Sequence, residues 1–166
     1  TESLVEYTIP SRNPNWADCE GLDYCGLAQV FGFAIDGKKI WFTEWVENNI
    51  GFVDTSIPLP FTIDIDSQNI ILERGQTTVI TLQFDRLSDL KLPHASTSLN
   101  ISTTSPFTDL VVTSEYTQFL TVYDGPESIP IRITASESAL PDTHKVLLGA
   151  FNNEIAVSKF ITVTIV

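Results

Sequence analysis

The last thirteen residues, "EIAVSKFITVTIV", limit the fold more than any other stretch. Ile155, Val157, Ile161, Val163 and Ile165 recur on every second residue, interrupted only by Lys159. A period of two is the signature of a strand, whose successive side chains point to opposite faces of a sheet. "QTTVITLQF" repeats it, with Ile80, Leu82 and Phe84 alternating with Thr81 and Gln83. Neither stretch fits a helix, whose apolar face returns every 3.6 residues. A chain written this way folds into sheets with one face buried.

Composition agrees. The 166 residues are 43% hydrophobic, enough to bury a core, and Thr, Ser, Ile and Val are abundant where helix formers are scarce, which favours strands. Nine Lys and Arg against 21 Asp and Glu leave a formal net charge of -12. That argues against nucleic acid, whose phosphates need basic residues, and against anionic lipid surfaces. No uninterrupted apolar run approaches the ~18 residues of a membrane helix. The chain starts at Thr1 and is expected to be a mature or excised part of an exported protein, extracellular or on the cell surface, with its export signal and any anchor outside this chain.

The pattern predicts an all-β chain in two parts. "LAQVFGFAID", "KIWFTEW" and "IGFVD" are apolar runs separated by Asp36-Gly37 and by Glu47-Asn48-Asn49. Asp-Gly and Asn-Asn tolerate φ > 0, as hairpin turns require. Leu27 to Asp54 therefore reads as a three-stranded antiparallel meander, and Ser3 to Ile9 as a further strand closed by Pro10. "TSIPLPF" carries two prolines, which cannot donate to a central ladder, and marks a boundary. Residues 1–57 form the first predicted domain and residues 58–166 the second. The second holds "FTIDID", "NIILE", "QTTVITLQF", "TSLNIST", "TQFLTVY", "SIPIRITAS", "HKVLLGAF" and the C-terminal strand, about seven strands for a sandwich. Only "DRLSDLKL" is compatible with a helix.

The residues of the first part carry a family resemblance. Glu6, Tyr7 and Pro10, then Trp41, Phe42, Thr43 and Glu44, then Asn49, Ile50, Gly51 and Asp54 resemble one blade of the streptogramin lyase (virginiamycin B lyase) β-propellers. In that family an "EYxxP" outermost strand precedes a "WFTE" strand and a hairpin into "IGxxD". The resemblance implies that Trp41, Phe42 and Trp45 are blade-packing residues and that Glu44 is a structural or surface carboxylate. It also implies an elimination that opens a cyclic depsipeptide antibiotic, using a histidine base and glutamate-held magnesium near blade starts. The matching blade start, Cys25 to Ala28, has no histidine, and His94 and His144 lie in the second part. A base must reach its proton, so no lyase activity is expected of this chain alone. "WFTE" does not recur downstream. A lone meander exposes two apolar faces and needs a partner.

Residues from about Pro60 to Val166 resemble an immunoglobulin-like or fibronectin-III-like module of bacterial and archaeal surface proteins, the archaeal type being the nearer. "ALPDTHKV" stands where such modules have "xxPGxYxV", so Asp142 and His144 replace the Gly and Tyr and no tyrosine corner forms. A Cys–Trp–Cys core pattern is also missing.

The remaining candidates are sparse. Cys19 and Cys25 read as a short-loop disulfide suited to an oxidising compartment, with two reduced thiols as the alternative. Zinc is disfavoured, since no histidine is near to complete four ligands. Asp18, Glu20 and Asp23 are the candidate calcium ligands, but they lack the DxDxDG spacing, and no cofactor is expected. Asn100-Ile101-Ser102 is a glycosylation sequon. Asp64 and Asp66 share a strand face and read as edge charges against aggregation. Asp142 and His144 read as a surface pair. No G-x-S-x-G elbow and no Gly-rich phosphate loop occur.

The chain is thus expected to be a non-catalytic extracellular module for assembly or protein interaction. Its partners would be other chains or further propeller blades, through homo-oligomerisation or strand addition at the apolar C-terminal strand. Two other readings stand beside it: the C-terminal part of a streptogramin-lyase-like enzyme whose catalytic blades lie outside this chain, and a soluble-face subunit of a membrane complex.

Overall fold

A computed structural model describes residues 3–9, 30–44, 48–86, 98–104, 109–114, 120–121, 128–151 and 155–166. It contains thirteen strands: β1 (Ser3–Tyr7), β2 (Val30–Asp36), β3 (Lys39–Glu44), β4 (Asn49–Asp54), β5 (Phe61–Ile65), β6 (Asn69–Leu72), β7 (Thr77–Arg86), β8 (Ser98–Thr104), β9 (Leu110–Ser114), β10 (Leu120–Thr121), β11 (Ser128–Ala135), β12 (Asp142–Phe151) and β13 (Ile155–Ile165). There is no helix among the described residues, and so none that could cross a membrane. "DRLSDLKL" begins inside β7 and its remainder lies outside the described residues. The chain divides into two compact units, Tyr7–Pro58 and Thr1–Glu6 with Leu59–Val166.

The larger unit is a sandwich. One sheet runs β5-β7-β11-β9; the other runs β1-β13-β12-β8-β10, with β6 parallel to β13. Lettered in chain order, β5, β7, β8, β9, β11, β12 and β13 are A to G, so the sheets read A-B-E-D and G-F-C. This is the immunoglobulin-type arrangement. Alternation explains the core. In β11, Ile129, Ile131, Ile133 and Ala135 are buried while Ser128 and Arg132 face outward. Val146, Leu148 and Ala150 of β12 and Val157, Ile161, Val163 and Ile165 of β13 meet them from the other sheet in one cluster. Each of the Val, Leu and Ile side chains among them contributes about 1.5–3 kcal/mol by leaving water.

Two expectations are corrected here. Ser3–Tyr7 was expected as the outermost blade strand; it pairs instead with β13 of the sandwich. The C-terminal strand was expected to offer an edge for strand addition. It is paired along one side by β12 from Ala156 to Ile165 and on the other by β6 and β1, so it is internal.

The smaller unit holds the expected three-stranded meander, in the order β2-β3-β4. Gly37 turns the first hairpin at φ 59° and Asn48 enters the second strand pair at φ 53°, the left-handed values that Gly and Asn adopt most readily. Phe31 and Gly32 form a bulge opposite Thr43, whose hydroxyl accepts the Gly32 N–H at 3.1 Å.

Candidate functional site

The register of the meander decides which side chains share a face. Phe33, Phe42 and Gly51 are opposite one another across the three strands, as are Ile35, Ile40 and Val53. Ala34, Trp41 and Phe52 lie on the other face. Apolar exposure occurs on both: Phe33 is 70% and Ile35 80% accessible on the first face, and Ile50 73% on the second. On that second face the Trp41 and Phe52 rings pack at 4.8 Å. The Lys39 ammonium sits 4.6 Å from the Phe52 centroid, a cation–π contact. Asp54 closes this end of the sheet. Its carboxylate accepts the Ser56 hydroxyl at 2.6 Å and the Ser56 N–H at 3.0 Å. These bonds, more than the charge of Lys39, hold its pKa below the ordinary carboxylate value.

Phe42 and Glu44 point to the first face and are buried, Glu44 to 5% accessibility. The Phe42 ring lies over Gly51. A Cβ at position 51 would stand 2.6 Å from the ring's Cε2 and Cζ, and 3.2 Å from Glu44 Oε1. This is why the strand reads Ile-Gly-Phe there: an aromatic ring covers its cross-strand glycine. Glu44 Oε2 has no hydrogen-bond partner among the described residues. A buried acceptor left unpaired costs roughly 1–3 kcal/mol, more for a charged group. Glu44 lines a cavity of 440 Å³ with Phe31, Thr43, Asn48, Asn49 and Ile50. The sequence offered Glu44 as a structural or surface carboxylate; its burial and its unsatisfied oxygen were not legible there.

In the sandwich, Lys159 occupies the inner-face position that interrupts the apolar series of β13. Its ammonium donates to Asp64 Oδ1 on β5 at 2.6 Å, the lysine side chain being 23% and the aspartate 70% accessible. Asp64 also accepts the Ile65 N–H at 2.9 Å. Both bonds fall at an outer strand of the four-stranded sheet, where a carboxylate ties up a backbone donor and blunts the edge. The Lys159 hydrogen bond, then that of Ile65, then the lysine charge lower the Asp64 pKa. Asp66 accepts the Thr81 N–H at 3.0 Å. A cavity of 670 Å³ beside this pair is lined by Val5, Leu59, Ile63, Phe84 and Val157.

His144 and Asp142 do not form the expected surface pair. Asp142 is exposed and accepts the Thr143 N–H at 2.7 Å. His144 is half-buried and alternates with Thr143 and Lys145, on the face of Val146 and Leu148. Its Nε2 is buried without a partner among the described residues. Cys19, Cys25, Asp18, Glu20, Asp23, Trp45 and His94 lie outside the described residues, and Asn100 is described only as a β8 backbone position opposite Phe151. Among the described residues no three His, Cys, Asp or Glu side chains cluster as metal ligands.

Fold and site together define an all-β protein: an immunoglobulin-type sandwich in the same chain as a three-stranded, aromatic-rich meander. No family model matches the sequence, and neither does any curated protein. Among solved structures, the chain is similar to a conjugative transposon lipoprotein from Bacteroides eggerthii DSM 20697. The alignment covers 63% of this chain and 98% of that one, at 16% identity and a TM-score of 0.44.

Proposed function

We propose that this chain is a non-catalytic, exported interaction module, working at the cell surface or outside the cell, in which the β2-β3-β4 sheet is covered by another protein surface. The observation that carries this is apolar exposure on both faces of one thin sheet, Phe33 and Ile35 on one and Ile50 and Phe52 on the other. A three-stranded sheet reaches stability by burying such faces, and a polar rim around aromatic anchors is the usual make-up of a protein interface. Export is supported by the acidic, strand-rich composition and by the Cys19/Cys25 spacing.

The finer reading is a single blade of streptogramin-lyase type, completed by other blades or chains. The paired "WFTE" and "IGFVD" strands favour it, while the placement of β1 in the sandwich departs from that family's unit. The test is a photo-crosslinking amino acid at position 33 or 35, in protein produced in its native cells, with position 134 on the polar face of β11 as control. The proposal expects a defined adduct to a second polypeptide from 33 and 35 and none from 134. No adduct from the meander, or equal adducts from all three, sinks it.

A further inference from the structure

We infer that the free edge of β2 pairs with β2 of a second copy of this chain, in an antiparallel, two-fold symmetric seam centred on Ala34. This rests on reading the β2-β3-β4 sheet as an interaction surface, and it names the occupant of one edge. The C-terminal strand, paired on both sides, has no edge to offer. β2 is the outer strand of its sheet, without a second neighbour among the described residues. Phe33 is 70% and Ile35 80% accessible, and Ala34 and Asp36 are exposed beside them. β4, at the opposite side, keeps Gly51, Val53 and Asp54 half-buried.

The hairpin fixes which backbone groups of β2 are open. Gly37 and Lys38 form a two-residue turn, so Asp36 and Lys39 exchange both of their backbone hydrogen bonds. The next strand pair agrees. Thr55 N–H donates to the Lys38 carbonyl at 2.8 Å, so Lys38, Ile40 and Phe42 bond toward β4, and Lys39 and Trp41 bond toward β2. Asp36 and Ala34 therefore bond inward, while the N–H and C=O of Phe33 and Ile35 point out of the sheet edge. Another strand is the partner that satisfies such a row of groups. The edge is also complementary to itself, as a two-fold interface requires. With Ala34 opposite Ala34 of the second copy, each Phe33 falls opposite an Ile35 and exchanges both backbone hydrogen bonds with it. On one face of the joined sheet the Phe33 and Ile35 side chains become cross-strand neighbours. On the other, two small Ala34 methyls meet at the close-spaced position. Asp36 falls opposite Gly32, away from the other Asp36, and β2 carries no proline or lysine to block pairing. The seam spans only Phe33 to Ile35 on each side, well below the ~800 Å² per partner of a stable interface. It forms where copies are concentrated, as on a surface, and separates on dilution.

The test traps the seam as a disulfide. Ala34→Cys in the full chain is oxidised mildly at rising protein concentration, and covalent dimer is scored by non-reducing electrophoresis with mass mapping of the linked peptides. Wild type and Thr134→Cys, on the polar face of β11, serve as controls. Opposed positions outside the hydrogen-bonded pairs bring their Cα atoms to about 4.5 Å, within disulfide range. A dimer linked through position 34 is expected, forming about tenfold faster or more than one through position 134. Adding Ile35→Pro removes an N–H that no bond within the sheet uses, and should slow trapping about tenfold or more through the hydrogen bonds lost. Ile35→Val keeps that N–H and should trap as before. Should the proline variant unfold, as tryptophan fluorescence would report, Ile35→Lys takes its place as an edge guard and should slow trapping likewise. No dimer above the position-134 control at the highest soluble concentration, or trapping indifferent to Ile35→Pro and Ile35→Lys, would overturn the inference. Photo-crosslinking from positions 33 and 35 in native cells identifies the neighbour independently. Adducts there to a different polypeptide, without a dimer through position 34, reject self-pairing and leave the interaction surface standing. Neither adduct nor dimer rejects both.

Discussion

Gly51→Ala puts the packing of the meander to a quantitative test. The added methyl would stand 2.6 Å from two carbons of the Phe42 ring, where carbon atoms prefer about 3.5–4.0 Å. The ring must move by about 1 Å, and the methyl would also stand 3.2 Å from Glu44 Oε1. Overpacking of this kind costs about 1–3 kcal/mol. Alanine recovers about 0.5–1 kcal/mol by restricting the unfolded chain. The net lies between about 0 and 2.5 kcal/mol of loss, centred near 1 kcal/mol. The assay is favourable because Trp16, Trp41 and Trp45, the only tryptophans, all fall within Tyr7–Pro58. Tryptophan fluorescence during urea unfolding therefore reports this unit and not the sandwich. With an m-value near 1 kcal/mol/M, the midpoint should drop by about 1 M. Adding Phe42→Leu should recover part of the loss, since the two changes share one contact. A midpoint that rises in Gly51→Ala, as relief of the glycine penalty alone would give, would refute the ring-over-glycine packing.

The other predictions concern the sandwich and the second hairpin. Leu148→Ala, at a fully buried position of β12, should destabilise the sandwich by about 2–5 kcal/mol through a core cavity, read from chemical denaturation by circular dichroism. Asp64 has a lowered pKa, so its stabilisation is present above the unfolded carboxylate value and is lost as pH falls through the lower folded one. The Tm difference between wild type and Asp64→Asn should thus be steady at neutral pH and vanish well below about pH 4; a constant difference across that range would contradict the pairing with Lys159. Asn48 sits at φ 53°, so Asn48→Val should cost about 1–2 kcal/mol whereas Asn48→Gly should be nearly neutral in the same fluorescence assay.

Much of the fold was legible because alternation is a local signal. The series Ile80, Leu82, Phe84 and the series ending at Ile165 announced their faces without tertiary information, and both lie in the core. Asp-Gly and Asn-Asn announced the two hairpins. β9 was missed because Leu110, Val111 and Val112 form an apolar run. Leu110 is buried and Val111 is 53% accessible on the outer face, so polarity does not alternate and the period is invisible. The place of β1 was missed because strand pairing across the length of the chain leaves no mark in a five-residue segment.

The candidate site divides the same way. Trp41, Phe42 and Trp45 stood out by size and spacing, and the first two do take opposite faces of one strand. The burial of Glu44 leaves no mark in the pattern of its strand, and that of His144 follows from its alternation with Thr143 and Lys145 at the end of the sandwich core. Lys159 was visible as an interruption of an apolar face. Its partner Asp64 is 95 residues away in sequence and could not be matched to it by pattern.

Carbene footprinting of the meander tests the interaction surface most directly. The isolated chain and the protein in its native surface preparation are labelled side by side and compared residue by residue, with Thr62 and Gln83 on the polar sandwich face as reference. Phe33, Ile35, Ile50 and Phe52 should label strongly in the isolated chain and be clearly protected in the native preparation, with the reference residues unchanged. Equal labelling of the four residues in both samples would show that nothing covers the sheet, and would contradict its role as an interface.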